Sequence, residues 1–275
     1  MKNKYKILML SDLKKSTNAT LKSTVSLAKM INGDIQFFHV KKPTDVIEKE
    51  NQLSAIRTIN KEHFAIEKKI QNLINPIAKD CDVNINYSFT YGNVKDEVRK
   101  YIKLNKPDII VIGKKKSKPL DFMGYDITSF ILKEHNGVIM MADNNNVLEP
   151  NKEISLGVLN GDEESFNLEF IEDLTNHTQK PLKLFKIGKD DSNTISKTNK
   201  HINKKTIEYV FEASDNTIDN LSNYVSKNDI NLLCVNRERK NTVKNEKSST
   251  SDIKTFIGKL NVSFLVTGEQ KLLVK

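Results

Sequence analysis

Apolar positions along this 275-residue chain recur in two alternating rhythms. Short, nearly continuous apolar runs suit strands buried on both faces. Between them lie longer stretches whose apolar residues return every three to four positions, the period of a helix with one buried side. Ile7–Ser11 is the first such run. After it Ser16 and Thr17 offer N-caps, and Leu21, Val25 and Ala28, widened by Leu27 and Ile31, mark a helix. Asn32-Gly33 is expected to end that helix, because glycine tolerates a left-handed cap. Ile35–Val40 reads as the second strand. A polar stretch precedes a helix expected from about Asn60 to Ala78, with Ile66, Ile70, Leu73 and Ile77 on one face and Pro76 kinking or shortening its last turn. Val83–Phe89 alternates as a half-buried strand does. Gly92-Asn93 turns into a helix bearing Val94, Val98 and Tyr101. Asp108–Ile112, a helix with Ile127 and Ile131, and Val138–Met141 complete the first half.

The second half repeats this order. Ser155–Leu159, a helix with Phe166, Phe170 and Leu174, Pro181–Ile187 and Thr206–Phe211 come first. A helix with Ile218, Leu221 and Val225, then Asn231–Val235, a helix with Ile253, Phe256 and Leu260, and Ser263–Val266 follow. Strands alternating with helices imply a parallel sheet covered on both faces, and the duplication implies two α/β units. The polar stretch Asp143–Lys152 is read as the linker, giving domains 1–146 and 147–275. The second copy is shorter mainly between its second and third strands, over Lys189–Lys205.

Composition narrows the function classes. With 37% hydrophobic and 29% charged residues the chain can bury real cores. No apolar run approaches the roughly 18 residues of a membrane helix. The basic start of MKNKYKILMLSDL is followed by neither a long apolar region nor a small-residue cleavage site, so a cytoplasmic protein is expected. Cys81 and Cys234 show no paired spacing and read as small buried hydrophobes. His39, His63, His135, His177 and His201 form no metal-ligand pattern. Of the net charge of +9, residues 1–150 contribute +8, from 25 Lys/Arg against 17 Asp/Glu. Nearly all of it is lysine: Arg57 and Arg99 are the arginines of that half. Arginine is the better reader of base edges and phosphates, so this argues for a solvated surface over nucleic-acid binding.

Several segments in order resemble the universal stress protein family. Lys6-Ile7-Leu8-Met9-Leu10-Ser11-Asp12 resembles its opening strand, which ends in aspartate. Gly33-Asp34-Ile35-Gln36-Phe37-Phe38-His39-Val40 resembles its second strand, and Gly92-Asn93-Val94 followed by Lys106-Pro107-Asp108-Ile109-Ile110-Val111-Ile112-Gly113 its third helix and fourth strand. Ser129 to Met141 is similar to its final helix and strand. The second half carries the likeness more weakly, with Asn160 at the aspartate position. The resemblance implies two tandem five-stranded parallel sheets of order 3-2-1-4-5 with helices on both faces, of the adenine nucleotide alpha hydrolase-like kind. It also implies an internal pseudo-dimer in which Val138–Met141 and Ser263–Val266 lie together, with further self-association left open.

In nucleotide-binding members of that family the loop after strand four follows G-x2-G-x9-G-[ST]. Its glycines let backbone N–H groups approach phosphates. Here Gly113 is in place, but the second glycine falls within Lys114-Lys115-Lys116. Gly124 follows Gly113 by eleven residues where thirteen are required, and Tyr125 replaces the hydroxyl residue. The second half has no glycine over Asn236–Ser251. If a nucleotide is bound, the resemblance assigns it to Asp12, Val40, Gly113, Lys114, Lys115, Lys116 and Gly124. Asp12 has a competing helix-capping role, and the lysines a competing solvated-loop role. His39 is read as a strand-end residue with a structural hydrogen bond, and Tyr125 as packing. The expected function is regulatory or stress-related, through contacts with an unidentified protein or small ligand, without turnover, cofactor or metal. ATP binding through the first domain, with slow hydrolysis, is the alternative.

Overall fold

The computed structural model describes residues 3–42, 52–114, 127–159, 168–187, 205–214, 216–236 and 258–267. In chain order these give β1 (Tyr5–Ser11), α1 (Thr17–Ile31), β2 (Gly33–Lys41), α2 (Gln52–Cys81), β3 (Ile85–Tyr91), α3 (Val94–Asn105), β4 (Ile109–Gly113), α4 (Ile127–Glu134) and β5 (Val138–Ala142). The second half supplies β6 (Leu156–Leu159), α5 (Leu168–Asn176), β7 (Leu182–Ile187), β8 (Thr206–Phe211), α6 (Thr217–Lys227), β9 (Leu232–Asn236) and β10 (Ser263–Thr267). The strands form one sheet of order β3-β2-β1-β4-β5-β10-β9-β6-β7-β8. Each half therefore has the order 3-2-1-4-5. Every neighbouring pair is parallel except β5 and β10, which meet antiparallel with Met140 opposite Leu265. That junction turns two open edges into an interior ladder.

Alternate residues of each strand feed opposite faces of the sheet. One face carries Ile7, Met9, Val111, Met140, Leu265 and Cys234 under α1, α2 and α5. The other carries Leu8, Ile110, Ile112, Met141, Phe264 and Leu233 with α3, α4 and α6. Both apolar layers run across the junction, so the halves share their cores. Residues of α5 reach back to the first half as well. Tyr5 meets Phe170 edge to face at 5.8 Å, and Asp173 receives the Lys4 ammonium at 2.6 Å and the Tyr5 hydroxyl at 3.0 Å.

Local details depart from the sequence reading at identifiable places. Ser16 adopts a helical conformation and makes no capping bond, so Thr17 begins α1. Asn32, not Gly33, takes the left-handed position, with φ 53°. Gly33 instead opens β2, where a Cβ would fall 2.5 Å from Ile7 Cδ1. Helix α2 continues five residues past Pro76, to Cys81, since proline interrupts one hydrogen bond only. β3 starts two residues later than expected, at Ile85, and β4 ends one residue later, at Gly113. The readings for Phe166, Asn160, Lys189–Lys204 and Ile253–Phe256 fall outside the described residues.

The polar stretch after β5, read as the linker, is tied to both halves by its own hydrogen bonds. Asp143 is 4% exposed, and its N–H donates to Ser263 Oγ at 3.0 Å. Its Oδ1 accepts from the N–H groups of Asn145 and Asn146, both at 2.8 Å. Leu148 is buried and donates its N–H to Ser23 Oγ on α1. Lys114 is drawn into the same set of contacts. Its ammonium lies 3.4 Å from Asp143 Oδ2, donates to the Leu260 carbonyl, and stands 5.3 Å from the Phe264 ring centroid. Its own carbonyl accepts from Asn144 Nδ2.

Candidate functional site

A cavity of about 750 Å³ opens at the carboxyl ends of β1, β2 and β4. The sheet there changes direction of growth, with β2 on one side of β1 and β4 on the other. Loops from the two strands diverge at such a point and leave a crevice, which is where open α/β sheets take ligands. Its floor includes Met9, Ile112 and Gly113. Gly113 is needed for packing: a Cβ there would lie 2.8 Å from Thr20 Oγ1, so the glycine lets α1 approach the end of β4.

The turn from β1 into α1 is held by its own short side chains. Leu13 N–H donates to Ser11 Oγ at 3.0 Å, and Lys14 N–H to Asp12 Oδ1 at 3.1 Å. Leu13 itself is buried with φ 54°, a conformation that a branched residue adopts only under constraint. Asp12 thus secures the tight turn ahead of the helix while standing at the cavity wall. His39 closes the strand end. Its Nδ1 lies 2.8 Å from the Ser11 carbonyl, so Nδ1 carries the proton and donates. Burial pushes the imidazole pKa below its ordinary value, only partly opposed by that bond. The ring is therefore neutral at physiological pH.

The lining is cationic. Lys14, Lys41, Lys42, Lys69 and Lys95 border the cavity, against the carboxylates of Asp12 and Glu62. Of the residues that the resemblance assigned, Asp12, Val40 and Gly113 all border this cavity. Lys114 is not: the chain turns it across the junction toward Asp143, away from any phosphate in this cavity. Lys115, Lys116, Gly124 and Tyr125 lie outside the described residues. Sequence reasoning missed Thr20, Glu62 and Lys69. The signal was present on α2, where Glu62, Ala65, Ile66 and Lys69 share one stripe, but nothing local said that this stripe faces a cavity. Among the described residues no three metal-ligating side chains gather, and no helix is long and apolar enough to cross a membrane.

No model of a known protein family matches the sequence, and no curated protein matches it. Solved structures do. The chain superposes on a universal stress protein from Archaeoglobus fulgidus with a TM-score of 0.68, covering 96% of this chain and 97% of that one at 11% identity. The fold is that of the universal stress proteins. A putative universal stress protein from Pseudomonas aeruginosa UCBPP-PA14 gives a TM-score of 0.58 over 96% of this chain and 93% of its own, at 11% identity. A functionally unknown protein from Pseudomonas aeruginosa PAO1 gives 0.57 over 98% and 94%, also at 11%. These likenesses span both halves of the chain, not the first unit alone.

Proposed function

We propose that this chain is a ligand-binding regulatory protein of the universal stress type. It holds a small anion in the first domain (1–146) without turning it over. The second domain (147–275), a degenerate copy, acts through the shared core. The observation that carries this reading is the cavity at the β1/β4 switch point with five lysines on its wall. Ammonium groups around a crevice attract anions from solution and hold them as point charges. The absence of turnover is supported by how the nearby polar groups are engaged. The His39 imidazole is anchored to a backbone carbonyl, and the Ser11 hydroxyl accepts from Leu13 N–H and lies 3.2 Å from Thr17 Oγ1. A cytoplasmic setting fits the two unpaired cysteines, of which Cys234 is fully buried with its thiol pKa pushed up to about 12.

ATP is the second reading, favoured by the cavity's place at the switch point beside Gly113. Against tight binding stands the loss of glycine positions in the loop that would cradle phosphates. Protein isolated from its own cells, denatured and examined by mass spectrometry for released small molecules, tests the main reading. An anionic metabolite in stoichiometric amount is expected, and protein that releases none and binds no anion in calorimetry refutes it.

A further inference from the structure

His39 turns one ring nitrogen to the protein and the other to the cavity. Nδ1 donates to the Ser11 carbonyl at 2.8 Å. Among the described residues Nε2 makes no hydrogen bond, and it is not sealed from solvent as the unpartnered atoms of Glu62 and Tyr91 are. The residue is 6% exposed and lines the cavity, so what remains open of the ring opens there. A buried imidazole with one nitrogen tied and the other unmatched is uncommon, because native interiors pair their polar groups.

The anchor decides which form Nε2 takes. If Nδ1 released its proton, its lone pair would face the Ser11 carbonyl oxygen, acceptor against acceptor. The neutral ring therefore keeps its proton on Nδ1 and shows the cavity a bare lone pair. An anionic oxygen of a ligand is also an acceptor only. The two meet only when a proton comes between them. Charged neighbours set how easily that happens. Lys41 on the same strand and Lys69 on α2 oppose a charged ring, and Asp12 at the end of β1 favours it. Glu62 on α2 and Lys14 in the turn after β1 border the same cavity, as do Lys42 after β2 and Lys95 on α3. From β3, Phe89 stands opposite His39 and carries the His63 ring of α2 at 4.6 Å. Tyr91 beyond it stays a neutral phenol, held so by burial first and then by the Glu62 charge. An anion seated among the lysines offsets the charges that hold the His39 ring neutral. We infer that His39 is a ligand-contacting residue of this cavity, and that each anion bound there takes up one proton at Nε2. The imidazolium then donates from both nitrogens, to Ser11 and to the ligand. Affinity rises as pH falls from the ring's midpoint in the complex to its lower midpoint in the ligand-free protein, and is level on either side. This inference rests on the anionic-ligand reading above and names the group through which pH regulates it.

Sulfate is the probe, because near neutral pH it neither titrates nor brings a proton of its own. Long-range proton–nitrogen NMR spectra of the full chain, labelled in histidine, read the tautomer and the midpoint of each ring. They are recorded from about pH 5 to about pH 8, with and without sulfate at constant ionic strength. H39N, whose amide can still donate to Ser11, identifies the His39 signals by their loss, with a melting curve confirming that it is folded. If H39N does not fold, H39Q takes its place and the wild-type midpoint decides. Without sulfate the ring should carry its proton on Nδ1, with a midpoint below 6.5. Saturating sulfate should raise that midpoint by about one unit or more, so that wild type binds sulfate about tenfold more tightly at the acid end of the range. Asp12 and Glu62 remain in H39N, so the smaller pH dependence it keeps is theirs. Sulfate that binds without moving the His39 midpoint, a proton found on Nε2 of the ligand-free ring, or an equal pH dependence in H39N overturns the assignment and leaves the anion reading standing. No sulfate binding at any pH overturns both.

Discussion

Removing the charge of Asp143 while keeping its shape puts the junction between the halves to a direct test. Lys114 and Asp143 side chains are each 5% exposed, and 3.4 Å separates Nζ from Oδ2. At such burial solvent screens little, so the cost is that of stranding an ammonium in the interior, about 3–5 kcal/mol for a broken buried pair. Asp143→Asn isolates that effect. Its Oδ1 can still accept from Asn145 and Asn146, so the turn is preserved and only the countercharge is lost. The Leu260 carbonyl remains to Lys114, which places the expected loss toward 3 kcal/mol, roughly a hundredfold in the folded-to-unfolded ratio. For a chain of this size that corresponds to a drop of roughly 6–10 °C in Tm. The double variant K114M/D143N removes both charges and leaves a flexible apolar side chain against Phe264. It should lose less than D143N alone, because the stranded charge is gone. Urea denaturation of wild type, both single variants and the double variant measures the coupling. A D143N loss within about 0.5 kcal/mol, or losses that simply add in the double variant, would refute the role assigned to this pair.

Val111 and Leu233 are wholly buried on central strands, so V111A and L233A should each cost roughly 2–4 kcal/mol in urea denaturation; losses no larger than those of surface variants would contradict the strand assignments. Because the folded state lowers the His39 pKa from 6.5, the unfolded chain takes up that proton first. Stability should therefore be fully present above about pH 6.5 and fall as pH drops below it. H39N, whose side-chain amide can still donate to Ser11, should show a shallower acid loss, and an unchanged pH profile would refute the assignment. ATP should bind weakly at physiological salt, with affinity that fades as salt rises and drops further in K14Q/K69Q, because charge rather than backbone geometry holds the phosphates. Salt-insensitive micromolar binding in calorimetry would promote the nucleotide reading.

The order of strands and helices was written locally, and for a physical reason. A strand buried on both faces needs an unbroken apolar run such as Ile109–Ile112, and a covering helix needs a stripe such as Leu21, Val25 and Ala28. Turn chemistry was legible where the side chain acts on its own backbone, as Asn93 does in accepting from Lys95 and Asp96 at the start of α3. Asp12, Val40 and Gly113, singled out by the resemblance, meet because β2 and β4 flank β1 in parallel and each residue stands at or just past a carboxyl end. Other features depended on what arrives from far along the chain. Lys114 reads as one member of a lysine-rich loop, yet it is buried because Leu260, 146 positions away, presents a carbonyl and Asp143 a carboxylate beneath it. The polar composition of Asp143–Lys152 concealed a bracket whose partners, Ser23 and Ser263, lie more than a hundred positions off on either side. Glu62 and Lys69 look like ordinary solvated helix residues until α2 is laid over the ends of β1 and β2. Apolar spacing fixes which side of an element turns inward, whereas the partner of a polar side chain is decided only when distant segments close around it.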